Sequence, residues 1–125
     1  MSLELNIPDV VQQGFAFRAA LDPTGLSFQL SGSADARATS ELEAFVRHMH
    51  DEARRLAVSE VVVDLNGCKF MNSSCFKAFL VWLTQIAELA PDDRYKLRFA
   101  WDGSSYWQRR GLQALKAYAV DLVQL

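Results

Sequence analysis

The chain of 125 residues has only two cysteines, Cys68 and Cys75, too few for a disulfide framework. It has no excess of positive charge. Lys and Arg number 13 against 15 Asp and Glu, a net charge of −2, and no Lys/Arg run occurs. That balance speaks against a nucleic-acid partner. No apolar stretch approaches the about 18 residues that span a bilayer, so no membrane insertion is expected. Met1 to Gly14 has no basic segment leading into an apolar one, so no secretory signal is expected. A reduced, cytoplasmic protein is the resulting expectation. The sequence also lacks a Gly-rich phosphate loop, a Gly-x-Ser-x-Gly elbow, Cys-x-x-Cys and His-Glu-x-x-His. His48 and His50 point about 200° apart on a helix, so they cannot chelate together. No enzyme activity, cofactor, metal or small-molecule substrate is expected.

What is present is an ordinary globular composition, 50% hydrophobic and 22% charged, in a length that makes one domain. Residues 1–14 read as an arm or short edge strand, and residues 15–125 as the domain. Phe15 to Leu21 and Leu26 to Ser31 alternate apolar and polar residues. Asp22-Pro23-Thr24-Gly25 between them fits a type I turn, so a hairpin is predicted. Ser40-x-x-Glu43 is a capping-box pattern. Leu42, Phe45, Met49, Ala53 and Leu56 then form a helical stripe, with His50, Glu52 and the neighbouring charges on the other faces. Glu60 to Leu65 is a β-branched run of the kind found in buried strands. Lys69-Phe70-Met71 reads as a loop. A second helix opens at Asn72, carries Phe76, Phe79, Leu80, Leu83, Ile86, Ala87 and Ala90, and ends before Pro91. Tyr95 to Trp101 reads as a strand. A turn at Asp102-Gly103-Ser104-Ser105 leads to a short helix, Ser105 to Arg110, with Gly111 as its C′ residue. Ala119 to Leu125 reads as a last strand. The order β-β-α-β-α-β-α-β predicts an α/β fold, a mixed sheet with helices packed on it.

The segment Val61 to Leu83 holds the candidate site. A buried strand leads through a tight loop to Asn72-Ser73-Ser74, where an amphipathic helix begins. Asn72 is a suitable N-cap. The unpaired N–H groups and the dipole at such an end favour an anion, and a phosphate on Ser73 would meet that field. It would also add nearly two negative charges. Asp64 closes the strand, where it can hold the loop through backbone N–H groups.

These residues carry a resemblance. Val61-Val62-Val63-Asp64-Leu65, then Phe70-Met71, then Asn72-Ser73-Ser74-Cys75 resembles the STAS family, the anti-sigma factor antagonist fold. Its pattern has Asp-Ser-Ser/Thr-Gly opening this helix. Leu30 to Asp35 resembles the family's passage from strand to first helix, and Gly111-Leu112 the turn after its third helix. The likeness covers residues 15 to 125. It implies a STAS-like mixed sheet and a protein-binding module of a bacterial partner-switching pathway. A serine kinase of the anti-sigma-factor kind would phosphorylate it and a phosphatase would reverse this. The unmodified form would hold the partner, and the phosphorylated form would release it. By position the acceptor is Ser73, and Ser74 is the less usual alternative. Asn72 stands where the pattern has Asp, and Cys75 where it has Gly.

Blander readings stand beside these. Ser73 and Ser74 can be plain helix-start residues, and the chain an unmodified STAS scaffold subunit of a transporter or other complex. Cys75, near a helix N-terminus, can be a reactive thiol sensor or a small packed side chain. Lys77 lies on the surface from Asn72 onward that would dock a partner. Trp82 sits on the flank of the helix stripe, as a partner anchor or as rim packing. Trp107, Arg109 and Arg110 form another contact edge.

Overall fold

The structure, a computed structural model, describes residues 5, 7–23, 25–103 and 105–125. Thr24 and Ser104, in two expected turns, and residues 1–4 and 6 of the expected arm lie outside these. The strands are β1 (Val10–Gln12), β2 (Phe15–Asp22), β3 (Gly25–Ala34), β4 (Glu60–Asp64), β5 (Cys68–Met71), β6 (Lys96–Ala100) and β7 (Val123–Gln124). The helices are α1 (Thr39–Arg55), α2 (Ser73–Ala87) and α3 (Tyr106–Tyr118), with 3-10 turns at Ala36–Ala38 and Pro91–Asp93.

One sheet runs in the order β1-β2-β3-β4-β6-β7, and β5 pairs with the far end of β3. β1, β2 and β3 are antiparallel neighbours, whereas β3–β4, β4–β6, β6–β7 and β3–β5 are parallel. The predicted mixed α/β sheet is therefore the observed one.

Alternation along each strand decides which face is covered. Phe15, Phe17, Leu26, Phe28, Leu30, Val61, Val63, Leu97 and Phe99 are buried under the helices. Arg18, Gln29, Lys96 and Arg98 lie on the other face, which is open to water. There Arg98 reaches Glu60 at 3.3 Å across the strands. Phe28 forms the centre of the core, with Phe45 of α1 at 4.8 Å and Trp82 of α2 at 6.3 Å between ring centroids.

The structure corrects several expectations. The Ser40-x-x-Glu43 box does not start α1. Asp35 caps the preceding 3-10 turn through Arg37 N–H, 2.9 Å, and α1 follows from Thr39 with no side-chain cap. Lys69-Phe70-Met71 is strand rather than loop. Its backbone finds a ladder on β3 beyond the bulge at Gly32/Ser33. α2 ends at Ala87, so Ala90 lies beyond it. Gly111 is no C′ residue, because α3 runs through it to Tyr118. A methyl at Gly111 would overlap the Phe76 ring, so the glycine lets α3 approach α2. His50 and Glu52 are buried, against the expectation of a solvated face. Glu52 pairs with Arg55, and His50 Nδ1 lies 2.6 Å from Tyr95 Oη.

Candidate functional site

The β4–β5 turn, β5 itself and the end of β3 position the N-terminus of α2. β4 ends at Asp64, whose Oδ1 accepts from Asn66 N–H at 2.9 Å and holds the turn to β5. Gln108 of α3 pins the same turn. Its Nε2 donates to the carbonyls of Leu65 and Cys68, at 2.9 and 3.0 Å. At the end of β5, Asn72 N–H donates to Ala34 O at 2.7 Å, which ties the start of α2 to the end of β3.

Asn72 has extended backbone, φ −66° and ψ 150°, and caps α2. Its Oδ1 accepts from Ser74 N–H at 2.9 Å and from Ser74 Oγ–H at 2.7 Å. A backbone N–H can only donate, so the oxygen of the amide must face it. The Ser74 proton is thereby committed to Asn72. Thr39 Oγ1, 2.7 Å from Ser74 Oγ, is then the donor in that pair. This chain of hydroxyls joins the first turns of α1 and α2.

Ser73 takes no part in it. Its side chain is exposed at the first position of α2 and makes no hydrogen bond among the described residues. The two serines thus sit in different chemistry, one half-buried and doubly engaged, the other free. Lys77 is exposed one turn further on, and Phe70, at the end of β5, is 48% exposed. Across the site Arg37 pairs with Asp35 at 2.9 Å. The Arg37 hydrogen bond holds the Asp35 carboxyl below its ordinary range.

Cys75 is fully buried under this turn. Its Sγ lies 3.6 Å from the carbonyls of Ala34 and Asp35 and 3.7 Å from Thr39 Oγ1. Burial pushes its pKa up, and that of Cys68 up to about 11. A thiolate is the reactive form, so this burial speaks against the thiol-sensor alternative. Trp82 needs a correction too. It is 0% exposed, stacks on Phe79, and donates Nε1–H to Tyr95 Oη at 2.6 Å. It is a core residue and cannot anchor a partner.

The sequence missed Thr39, Phe70 and Gln108. Phe70 had a signal, since a large apolar residue in a segment that reads as a loop is unusual. Thr39 and Gln108 had none, because each meets its partner 35 or more residues away. Among the described residues no group of three His, Cys, Asp or Glu could hold a metal ion. No helix there is long and apolar enough to cross a membrane.

No family model and no curated protein matches the chain. Solved structures do. An anti-sigma factor antagonist from Mycobacterium paratuberculosis superposes with a TM-score of 0.60 at 13% identity, over 91% of this chain and 88% of that one. The STAS domain of an antisigma-factor antagonist from Rhodobacter sphaeroides gives 0.52 at 15% identity, over 70% of this chain and 86% of that one. This likeness shows the fold: the chain has the STAS fold that its sequence pattern implies.

Proposed function

We propose that this chain is a phosphorylation-gated binding module of a partner switch, with Ser73 as the acceptor. The observation that carries the reading is the contrast between the two serines. The Ser73 hydroxyl is exposed at the start of α2, whereas the Ser74 hydroxyl is spent on Asn72 and Thr39. The STAS fold of two anti-sigma factor antagonists adds support. A kinase of the anti-sigma-factor kind is the partner and a phosphatase resets the switch. The chain itself is substrate and ligand rather than catalyst.

In the unmodified state the partner docks on Ser73, Phe70 and Lys77. This surface offers an apolar contact and one cation, with Asn72 and Asp64 fixing the turn beneath. A phosphate on Ser73 brings nearly two negative charges onto a surface the partner must desolvate. Such like-charge or unpaired burial at an interface costs several kcal/mol, enough to release the complex.

The test is a paired pull-down from the native cell with the wild type and Ser73→Asp as baits. A kinase-like protein retained by the wild type, and lost at least about tenfold with Ser73→Asp, is expected. Ser73→Ala should hold it permanently. If wild type and Ser73→Asp retain the same proteins, Ser73 is a helix-start residue and the chain acts as an unmodified scaffold.

A further inference from the structure

The outer face of α2 carries a second pattern. Lys77, Val81, Thr84 and Glu88 follow at spacings of four, three and four, so they form one stripe, opposite the buried Phe79, Trp82 and Ile86. Val81 is 55% exposed although apolar. Tyr118 of α3, 57% exposed, stands beside the stripe. Its hydroxyl lies 2.7 Å from Thr84 Oγ1, and the Thr84 proton goes to Leu80 O at 2.9 Å. Tyr118 is therefore the donor, and its ring is held in place next to Val81. Between them runs a shallow groove of about 520 Å³.

We propose that this stripe is the contact between two copies of the chain, with their α2 helices antiparallel about a two-fold axis. The charges favour a second copy because the stripe is complementary to itself. An axis midway between Val81 and Thr84 sets Lys77 of each copy against Glu88 of the other. It also sets each Val81 against the other Thr84. A parallel arrangement sets Lys77 against Lys77 and is repelled. The antiparallel one makes two ion pairs flanking an apolar centre, walled by two fixed tyrosines. Tyrosine is the residue type that interfaces favour, because it covers much area and loses little freedom. A closed two-fold pair also consumes the stripe on both copies, so association stops at two, and it competes with the docked partner for Lys77.

The experiment is sedimentation equilibrium of the full chain over a concentration series, at low and at high salt. A monomer–dimer equilibrium that weakens with salt is expected. Lys77→Glu and Glu88→Lys each turn two attractions into two repulsions, and each should raise the dissociation constant about tenfold or more. The double variant K77E/E88K recreates both pairs with reversed sign and should return to within about threefold of wild type. Val81→Asp should abolish the dimer. All four residues face solvent or the groove, and unchanged melting of each variant shows that the fold is intact. A wild type that stays monomeric up to about 1 mM overturns the proposal. So does a double variant as weak as the singles. The measurement reads oligomeric state alone, so it stands or falls whatever becomes of the Ser73 switch.

Discussion

Tyr95→Phe removes one oxygen from the middle of a buried relay. Tyr95 is 1% exposed, and its Oη lies 2.6 Å from both Trp82 Nε1 and His50 Nδ1. Indole nitrogen can only donate, so the phenol accepts from Trp82 and keeps its own proton to give. Passing that proton to His50 Nδ1 satisfies all three groups, which assigns His50 the neutral tautomer with its proton on Nε2. Deleting the hydroxyl leaves an indole donor with no partner in the core and an imidazole acceptor with none near the surface. An orphaned buried group costs about 1–3 kcal/mol. His50 is 9% exposed and water relieves part of its share, so about 2–4 kcal/mol is expected in total. At about 2.1 cal/mol/K per residue, 1 kcal/mol corresponds to about 4 °C for a chain of this length. The melting temperature should fall by about 8–15 °C. Volume hardly changes, so a cavity cannot account for such a loss. Trp82→Phe in the same background removes the orphaned donor, and the double variant should cost less than the two singles added together. Calorimetry with urea unfolding reads all of this. A Tyr95→Phe loss below about 1 kcal/mol, or strict additivity with Trp82→Phe, refutes the relay.

The burial of His50 also sets a pH dependence. Burial, then the Arg54 charge, lower the His50 pKa, with Asp51 opposing them. The unfolded chain, near the ordinary value of about 6.5, then takes up the proton first. His50 stabilises above that value, and its contribution drains away as pH falls from there through the depressed folded value. Wild type should lose more stability between pH 7.5 and 5 than His50→Gln, and parallel curves would contradict it. Gly111→Ala should destabilise by up to about 2 kcal/mol, overlap with Phe76 outweighing the better helix propensity. In a Phe76→Ala background its sign should reverse, as thermal melts will show. Ala57 ends α1 at φ 52°, a left-handed conformation that glycine adopts freely. Ala57→Gly should therefore gain about 0.5–1 kcal/mol in urea unfolding. Ser74→Ala should lose about 1 kcal/mol of stability and Ser73→Ala almost none, and equal losses would show that both hydroxyls are structural.

The fold was legible wherever a segment's own pattern decides its burial. Phe15 to Leu30 alternates and pairs as a hairpin, and Val61 to Val63 reads as a central strand because both neighbours are needed to satisfy it. Legibility failed where a distant residue decides. His50 looks like a solvated helix residue until Tyr95, 45 positions away, supplies a partner. Gly111 looks like a helix end because its real constraint, the Phe76 ring, lies on another helix. Cys68 to Met71 is too short and irregular to show itself as a strand. It becomes one because the bulge in β3 leaves ladder groups for it to pair with. Trp82 was ambiguous by helical angle alone, since a side chain that large reaches the core from the flank of the stripe.

The two departures from the family pattern acquire a physical sense at the site. A carboxylate at position 72 would cap α2 as Asn72 does, because the cap needs only an oxygen facing Ser74 N–H. The amide does this without a charge, so position 72 itself adds no negative group next to Ser73, where an incoming phosphoryl group would be repelled. The sulfur of Cys75 fills the space that a glycine would leave open between the first turns of α1 and α2. It touches the carbonyls that end β3 and is held protonated by the burial that makes it fit. A glycine there would leave Thr39 and Ser74 to hold the two turns together alone. Asn72 thus removes a charge, and Cys75 stiffens the platform under Ser73. The one hydroxyl not used to build that platform is the one the proposed switch needs.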